Sequence, residues 1–524
     1  MGESLSVNTS VPHGAAATSP APAPSSSTGL LDRRFKLTQR GTTVAQEIRG
    51  GVVTFFAMSY ILVLNPIILS TPDSTGHFLG GGTEGANFPA IAAATALIAG
   101  IMSVLMGAAA NFPLAIAAGL GINALLAYSI VGMPGMTWAD AMGLIVLEGV
   151  VILLLVLTGL REAIFRAVPH TLKMAISVGI GLFIALVGLV NAGIIRGGGG
   201  TPLSLGIGGS IASWPLLVFV FGLFLIAILM VRGVRGAILI GIVGATVAAI
   251  AVEAVAKLGA QNPMGVTPAE QNITGWGLTV PALSGSPVQV PDFSLLGNVS
   301  LFGAFEKIGV VAVLVLVFSI MLADFFDTMG TMVAVGAEAR LLQKDGTPEA
   351  TRSILVVDSL AAIAGGLGSV SSNTSYIESA TGVGDGARTG LASITTGACF
   401  LLATFLSPLA AMVPYEAATP ALVIVGFLMM QQVAEIDWKH LAYAIPAFLT
   451  IVFMPFAYSI TVGIGAGFIA YAVLASVAPV RVPDTAAGEG PDDGRTVHPL
   501  MWLCAVLFVI YFAMGPIEEA LGLR

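Results

Sequence analysis

Apolar residues run through this chain in long blocks separated by short polar segments. Blocks of about 18 or more apolar residues can cross a bilayer core of about 30 Å as helices. The pattern predicts fourteen spans, near residues 50–70, 88–110, 113–131, 138–160, 171–191, 214–231, 236–257, 308–336, 351–369, 373–388, 389–412, 417–434, 441–457 and 459–478. A further apolar segment at 498–515 suits either a fifteenth span or a helix lying in the interface.

Two of the fourteen break the pattern. The tenth, within residues 371–390, opens with Ser371, Ser372, Asn373, Thr374 and Ser375, carries Glu378, and is interrupted by glycines. Hydrocarbon cannot hydrogen-bond bare backbone, so irregular polar chain survives at membrane depth only where it lines a protein cavity. A carboxylate there costs roughly 3 kcal/mol on insertion scales, which marks Glu378 as functional. The third, Phe112 to Tyr128, passes Gly119 and Gly121 and carries Asn123. Close helix packing accounts for those glycines equally well, but not for the polar cluster of the tenth span. Interrupted spans at matching positions of two seven-span halves point to a transporter site made by inverted repeats. A helix that begins at mid-membrane turns free N–H groups and a positive dipole end toward such a cavity.

The eighth span adds Asp324 and Asp327, three residues apart near one helix face. Two neighbouring carboxylates cannot both ionise cheaply at that depth, so one is expected to exchange a proton near neutral pH. Glu148 and Glu253 read as packing or interface groups, and Asp358 as a helix-end contact. His170 and His440 read as interface residues, while Asp385 and Arg388 face the cytoplasmic mouth, where they pair or steer.

Composition fits this picture. Hydrophobic residues make up 56% of the 524 and charged residues 10%, against about 25% charged in soluble proteins. The net charge of −8 comes with no basic stripe or aromatic ladder, so nucleic acid is not an expected partner. Cys399 and Cys504 sit in apolar runs without metal or redox spacing. The inner polar segments hold no nucleophile–base pair, metal spacing or phosphate loop, so no enzyme is expected. The first 30 residues, rich in Ser, Ala, Pro and Thr, read as a disordered tail, not a signal peptide.

Basic residues set the orientation. Arg33, Arg34, Lys36, Arg40 and Arg49 precede the first span and place the N-terminus in the cytoplasm. Arg161, Arg166, Lys173, Arg232, Arg235, Arg340, Lys344, Arg352, Arg388, Lys439, Arg481 and Arg495 then also fall inside, seventeen of the 21 in all. Residues 258–307 form the one long external loop, expected to be partly ordered cover.

Four strings carry a resemblance: Thr42 to Pro66, Gly119 to Ala124, Asp324 to Thr331, and Tyr376 to Ala380 with Gly386 to Gly390. Together they resemble the adenine/guanine/hypoxanthine permeases, the purine branch of the nucleobase:cation symporter family, over about residues 35–480. The uracil and xanthine branches typically carry Asn-x-Gly after the span-10 acid or amide. Here Ser379, Ala380, Thr381 and Gly382 follow Glu378, which favours the purine branch.

The resemblance implies an all-α polytopic membrane protein with a 7+7 inverted repeat and short strands in spans 3 and 10. Its core domain would comprise residues 50–160 and 308–412, and its gate domain residues 171–257 and 417–478. The 1–40 tail, the 258–307 loop and the 479–524 region flank these. Glu378 resembles the principal base-binding carboxylate, Asp327 the span-8 acid and Asn123 the polar contributor of span 3. Candidate substrate-binding residues are Glu378, Asp327, Asn123, Gly121, Phe326, Tyr376 and Ser379, and candidate proton-coupling residues are Asp327, Glu378 and Asp324. The implied activity is purine import by proton symport through the plasma membrane, with sodium left open as the ion. The implied partners are the purine, the bilayer and a second copy joined through the gate domain; no cofactor is expected. A uracil or xanthine carrier, or an inorganic-anion transporter of the same architecture, are the alternatives.

Overall fold

A computed structural model describes residues 29–80, 82–159, 167–197, 201–261, 272–282, 286–343, 347–477 and 497–520. The tail before residue 29, and Arg161, Arg166, Lys344, Arg481, Arg495 and Arg524, lie outside the described residues.

The polar breaks in the sequence become helix caps. After α1 (Leu30–Phe35), Thr43 and Gln46 form a capping box that starts α2 (Val44–Met58), and α3 (Ile61–Ile68) continues it after a turn. Asn87 caps α4 (Phe88–Ala110), which ends at a left-handed Asn111. Strand β1 (Ile116–Ala118) leads into the short α5 (Leu120–Leu125), which widens into a π turn, Leu126–Ile130. A second capping box, Thr137 with Asp140, opens α6 (Trp138–Thr158). Next come α7 (His170–Asn191), a hairpin of β2 (Ile195–Arg196) with β3 (Ser204–Leu205), α8 (Trp214–Val231) and α9 (Ala237–Ala256).

The second half begins with α10 (Gly303–Ala339), interrupted at Gly309, whose φ of 79° only glycine adopts readily. It continues with α11 (Thr351–Leu367), β4 (Asn373–Ser375), α12 (Ser379–Gly384) and α13 (Gly390–Ala403). The span expected over 389–412 is present as Gly390–Met412, in which α13 passes into a 3-10 helix, Thr404–Met412, around Pro408, which offers no N–H donor. The short α14 (Tyr415–Ala418), α15 (Pro420–Met430), α16 (Leu441–Phe456) and α17 (Ile460–Val477) follow. From residue 499 on, the 498–515 segment lies within one helix, α18 (Pro499–Ala520), packed on α17 and α10. Among the described residues ten helices are long and apolar enough to cross a membrane.

Two sets of helices emerge from the packing. α4 packs on α13, α2 on α13, and α6 on α10 and α11; separately, α7 packs on α15 and α16, α16 on α17, and α8 on α9. Backbone contact is close where α4 meets α13: a Cβ added to Gly107 would run into the carbonyl oxygen of Gly390. The external loop is anchored rather than free. Trp276 is fully buried and donates from Nε1 to Glu253 at 2.8 Å, and the Gly277 N–H donates to Glu416 at 3.0 Å. Glu253 is therefore a loop anchor, not a general packing group.

Candidate substrate site

The two irregular segments meet. β1 and β4 pair antiparallel, with Ile116 opposite Ser375, Ala117 opposite Thr374 and Ala118 opposite Asn373. The Tyr376 N–H donates to Ala115 at 3.0 Å and the Gly119 N–H to Ser372 at 2.9 Å, extending the ladder at both ends. All six strand residues are buried. Each strand satisfies the other's backbone, which is how non-helical chain is tolerated here.

A cavity opens where the strands give way to their helices. Gly119 to Ile122 line one side and Thr374 to Glu378 another, with Tyr60 between α2 and α3, and Ala323, Phe326, Asp327 and Thr331 of α10. The facing wall is mostly apolar: Ile176, Ser177 and Ile180 of α7 with Val425 and Met429 of α15. About 110 Å³ is open, several times the ~10–15 Å³ that admits one water, so the space suits a small molecule. An apolar wall with a few convergent polar groups is the usual form of such a site.

Glu378 and Asp327 both reach this cavity. The Tyr60 hydroxyl donates to Glu378 Oε1 at 2.5 Å and fixes that carboxylate. Tyr376 donates from its hydroxyl to the Ala118 carbonyl at 2.6 Å, holding its ring across the strand pair. Gly121 and Phe326 also line the cavity, and the Lys173 ammonium of α7 lies 5.8 Å from the Phe326 ring centroid.

Three of the residues singled out in the sequence stand elsewhere. Asn123 is fully buried outside the lining and donates to Asn65 Oδ1 at 2.7 Å; Asn65 in turn donates to Thr95 and to the Val370 carbonyl. Its place is in a network tying α5 to α3, α4 and the start of the β4 segment. The Ser379 hydroxyl accepts from the Ala115 N–H at 3.0 Å and turns into the strand junction, away from the cavity. Asp324 is fully buried on α10 and lies outside the lining, although it stands only about 60° round the helix from Asp327.

Two further expectations change. Asp358 is not a helix-end contact: it is buried, and accepts from Thr328 at 2.8 Å and from Ser375 at 2.9 Å. Asp385 does not pair with Arg388. It joins Arg49 at 2.5 Å and Arg235, whereas Arg388 donates to the Val383 and Ala387 carbonyls. Tyr60 escaped the sequence reading, although it lies within the Thr42 to Pro66 string, because an aromatic in an apolar span looks like packing.

An acid-bearing cavity at the junction of two interrupted segments, within a bundle of membrane-length helices, defines a membrane transporter and not an enzyme. The chain belongs to the Permease family, whose model Xan_ur_permease matches residues 45–466. It is 37% identical over 483 residues to the adenine permease AdeP of Escherichia coli (strain K12), covering 92% of this chain and 96% of that one. It is also 37% identical over 480 residues to the guanine/hypoxanthine permease PbuG of Bacillus subtilis (strain 168), covering 91% and 98%. Among solved structures, the transmembrane domain of the cyanobacterial bicarbonate transporter BicA shares the fold. The TM-score is 0.52 at 15% identity, covering 80% of this chain and 96% of that one.

Proposed function

We propose that this chain imports purine nucleobases, among adenine, guanine and hypoxanthine, by proton symport across the plasma membrane. The observation that carries the reading is the Tyr60-held Glu378 carboxylate facing the cavity that Asp327 also lines. A neutral purine presents ring N–H donors on a flat frame, and a carboxylate accepts two of them side by side. Relatives named as adenine and guanine/hypoxanthine permeases support the substrate class. Glu378 binds the base edge, Asp327 shares in binding and takes up the coupling proton, and Phe326 and Tyr376 flank the ring. Gly121 lets the α5 backbone approach. Asn123 and Ser379 position the two interrupted segments from outside the cavity.

In this reading the first helix set, with the paired strands, is the core domain and the second is the gate, together forming fourteen spans in a 7+7 inverted repeat. The N-terminus is cytoplasmic, and a homodimer forms through the gate domain. Protonation removes a buried charge before the core moves against the gate. The membrane potential then contributes about 2.3 kcal/mol per charge at 100 mV. The fold shared with a bicarbonate transporter does not favour anion transport, because two acids in the cavity repel an anionic ligand.

The test is uptake of radiolabelled hypoxanthine and adenine by cells lacking their own nucleobase carriers, with the other bases as competitors. Saturable uptake, lost in Glu378→Ala and blocked by purines but not by uracil, is expected. Competition by uracil or xanthine alone would overturn the purine assignment. Asp327→Asn should abolish accumulation while retaining some binding, and undiminished uphill uptake by that variant would refute its coupling role.

A further inference from the structure

Outside the cavity a second group of acids is enclosed by helices. Glu148 on α6, Asp324 on α10 and Asp358 on α11 are 0%, 0% and 3% exposed. Asp358 is well served by Thr328 and Ser375. The other two are not. Glu148 Oε2 receives one long bond, from Ser372 at 3.4 Å, its Oε1 has no donor, and neither oxygen of Asp324 has one. Yet the helices that carry Glu148 and Asp324, α6 and α10, pack on each other, and the two acids act on one another. Two ionised carboxylates offer one another only acceptors, and an uncompensated buried charge costs several kcal/mol. One proton changes the count: it can be shared as an O–H···O bond and a buried charge disappears.

The cluster is also connected to the cavity. Thr374 lines the cavity and shares a 2.8 Å bond with Thr328, which donates to Asp358 of the cluster at 2.8 Å. The charged groups acting on the pair are Asp358 of α11 and Asp327 of α10. Both are acids, and both oppose a second ionised group. A proton is the occupant that two carboxyl groups so short of donors fit, since each offers the other only acceptors.

We propose that Glu148 and Asp324 form a proton site, with one proton held between their carboxyl groups and exchanged with the cavity through the Thr374 hydroxyl during transport. Its link to transport rests on the proton-symport reading; occupancy of the site does not. Infrared spectroscopy of the purified full-length protein in lipid nanodiscs reads occupancy directly, through the carbonyl stretch of a protonated carboxylic acid. At neutral pH the wild type is expected to show an acid band that both Glu148→Gln and Asp324→Asn remove. An acid spectrum unchanged in both variants would overturn the site.

The transport link is read in proteoliposomes, with hypoxanthine and adenine driven by an inward pH gradient. Accumulation should fall at least about tenfold in Glu148→Gln, and return to within about threefold of wild type in Glu148→Asp, which keeps an acid. Wild-type accumulation in Glu148→Gln, or accumulation driven by sodium and indifferent to pH, would overturn the link. If wild type carries neither base, the substrate reading fails, while the infrared result still decides the site.

Discussion

Replacing Tyr60 by Phe deletes one oxygen from a side chain that is 1% exposed and leaves its ring packing in place. That oxygen donates to Glu378 Oε1 at 2.5 Å. A hydrogen bond to a charged group contributes about 1.5–3 kcal/mol. In the bound state Glu378 has to present its carboxylate in one orientation to the ring N–H groups of a purine, and Tyr60 supplies that orientation. If the lost bond appears in full in ligand affinity, and about 1.4 kcal/mol is tenfold, Kd rises about 10- to 150-fold. The assay is equilibrium binding of radiolabelled adenine or hypoxanthine to purified protein, with melting temperature in the same detergent as the folding control. Tyr60→Phe combined with Glu378→Gln should weaken binding by less than the product of the two single effects, since both act on one contact. A Kd within about twofold of wild type, at an unchanged melting temperature, would refute the positioning role.

Other substitutions probe the frame. Gly107→Ala should push α4 off α13 at Gly390 and lower stability by about 1–3 kcal/mol, as overpacking does; a melting temperature equal to wild type would contradict the close contact. Asn65→Ala takes the partner from Asn123 and from the Val370 carbonyl and one bond from Thr95, so it should lower the melting temperature more than Asn123→Ala, with the reverse order counting against the network. Purine affinity should stay within about threefold in Asn123→Ala, since that side chain does not line the cavity. Arg235→Glu breaks an exposed ion pair to Asp385, with a stability effect under about 1 kcal/mol. It should alter uptake velocity more than melting temperature, whereas Arg235→Lys, which keeps the charge beside Asp385, should retain the wild-type velocity.

Much of the helical frame was legible in the chain because lipid imposes length and apolarity on each crossing. The interrupted segments were legible for the converse reason: Ser371 to Ser375 and Glu378 have no business facing hydrocarbon. Direction was harder to read. Nothing in the string turns Ser379 toward Ala115 or Asn123 toward Asn65; those outcomes depend on how β1 meets β4, a pairing between distant parts of the chain. Glu148 looked like an isolated acid in α6 because its neighbour Asp324 arrives only when α6 packs on α10. Tyr60 carried no signature at all, since only the position of Glu378 gives its hydroxyl a purpose.

The pairing of β1 with β4 also sets a timetable for biogenesis. Tyr376 and the Ala118 carbonyl it serves are 258 positions apart in the chain. At about 5–20 residues per second of synthesis, the first strand waits roughly 13–50 s for its complement. Throughout that interval its amides are at membrane depth without the partner that later satisfies them, a state hydrocarbon penalises. The nascent first half therefore needs temporary shelter, from the insertion machinery, from water or from neighbouring helices. Truncated chains ending before residue 373 should be prime substrates for membrane quality control.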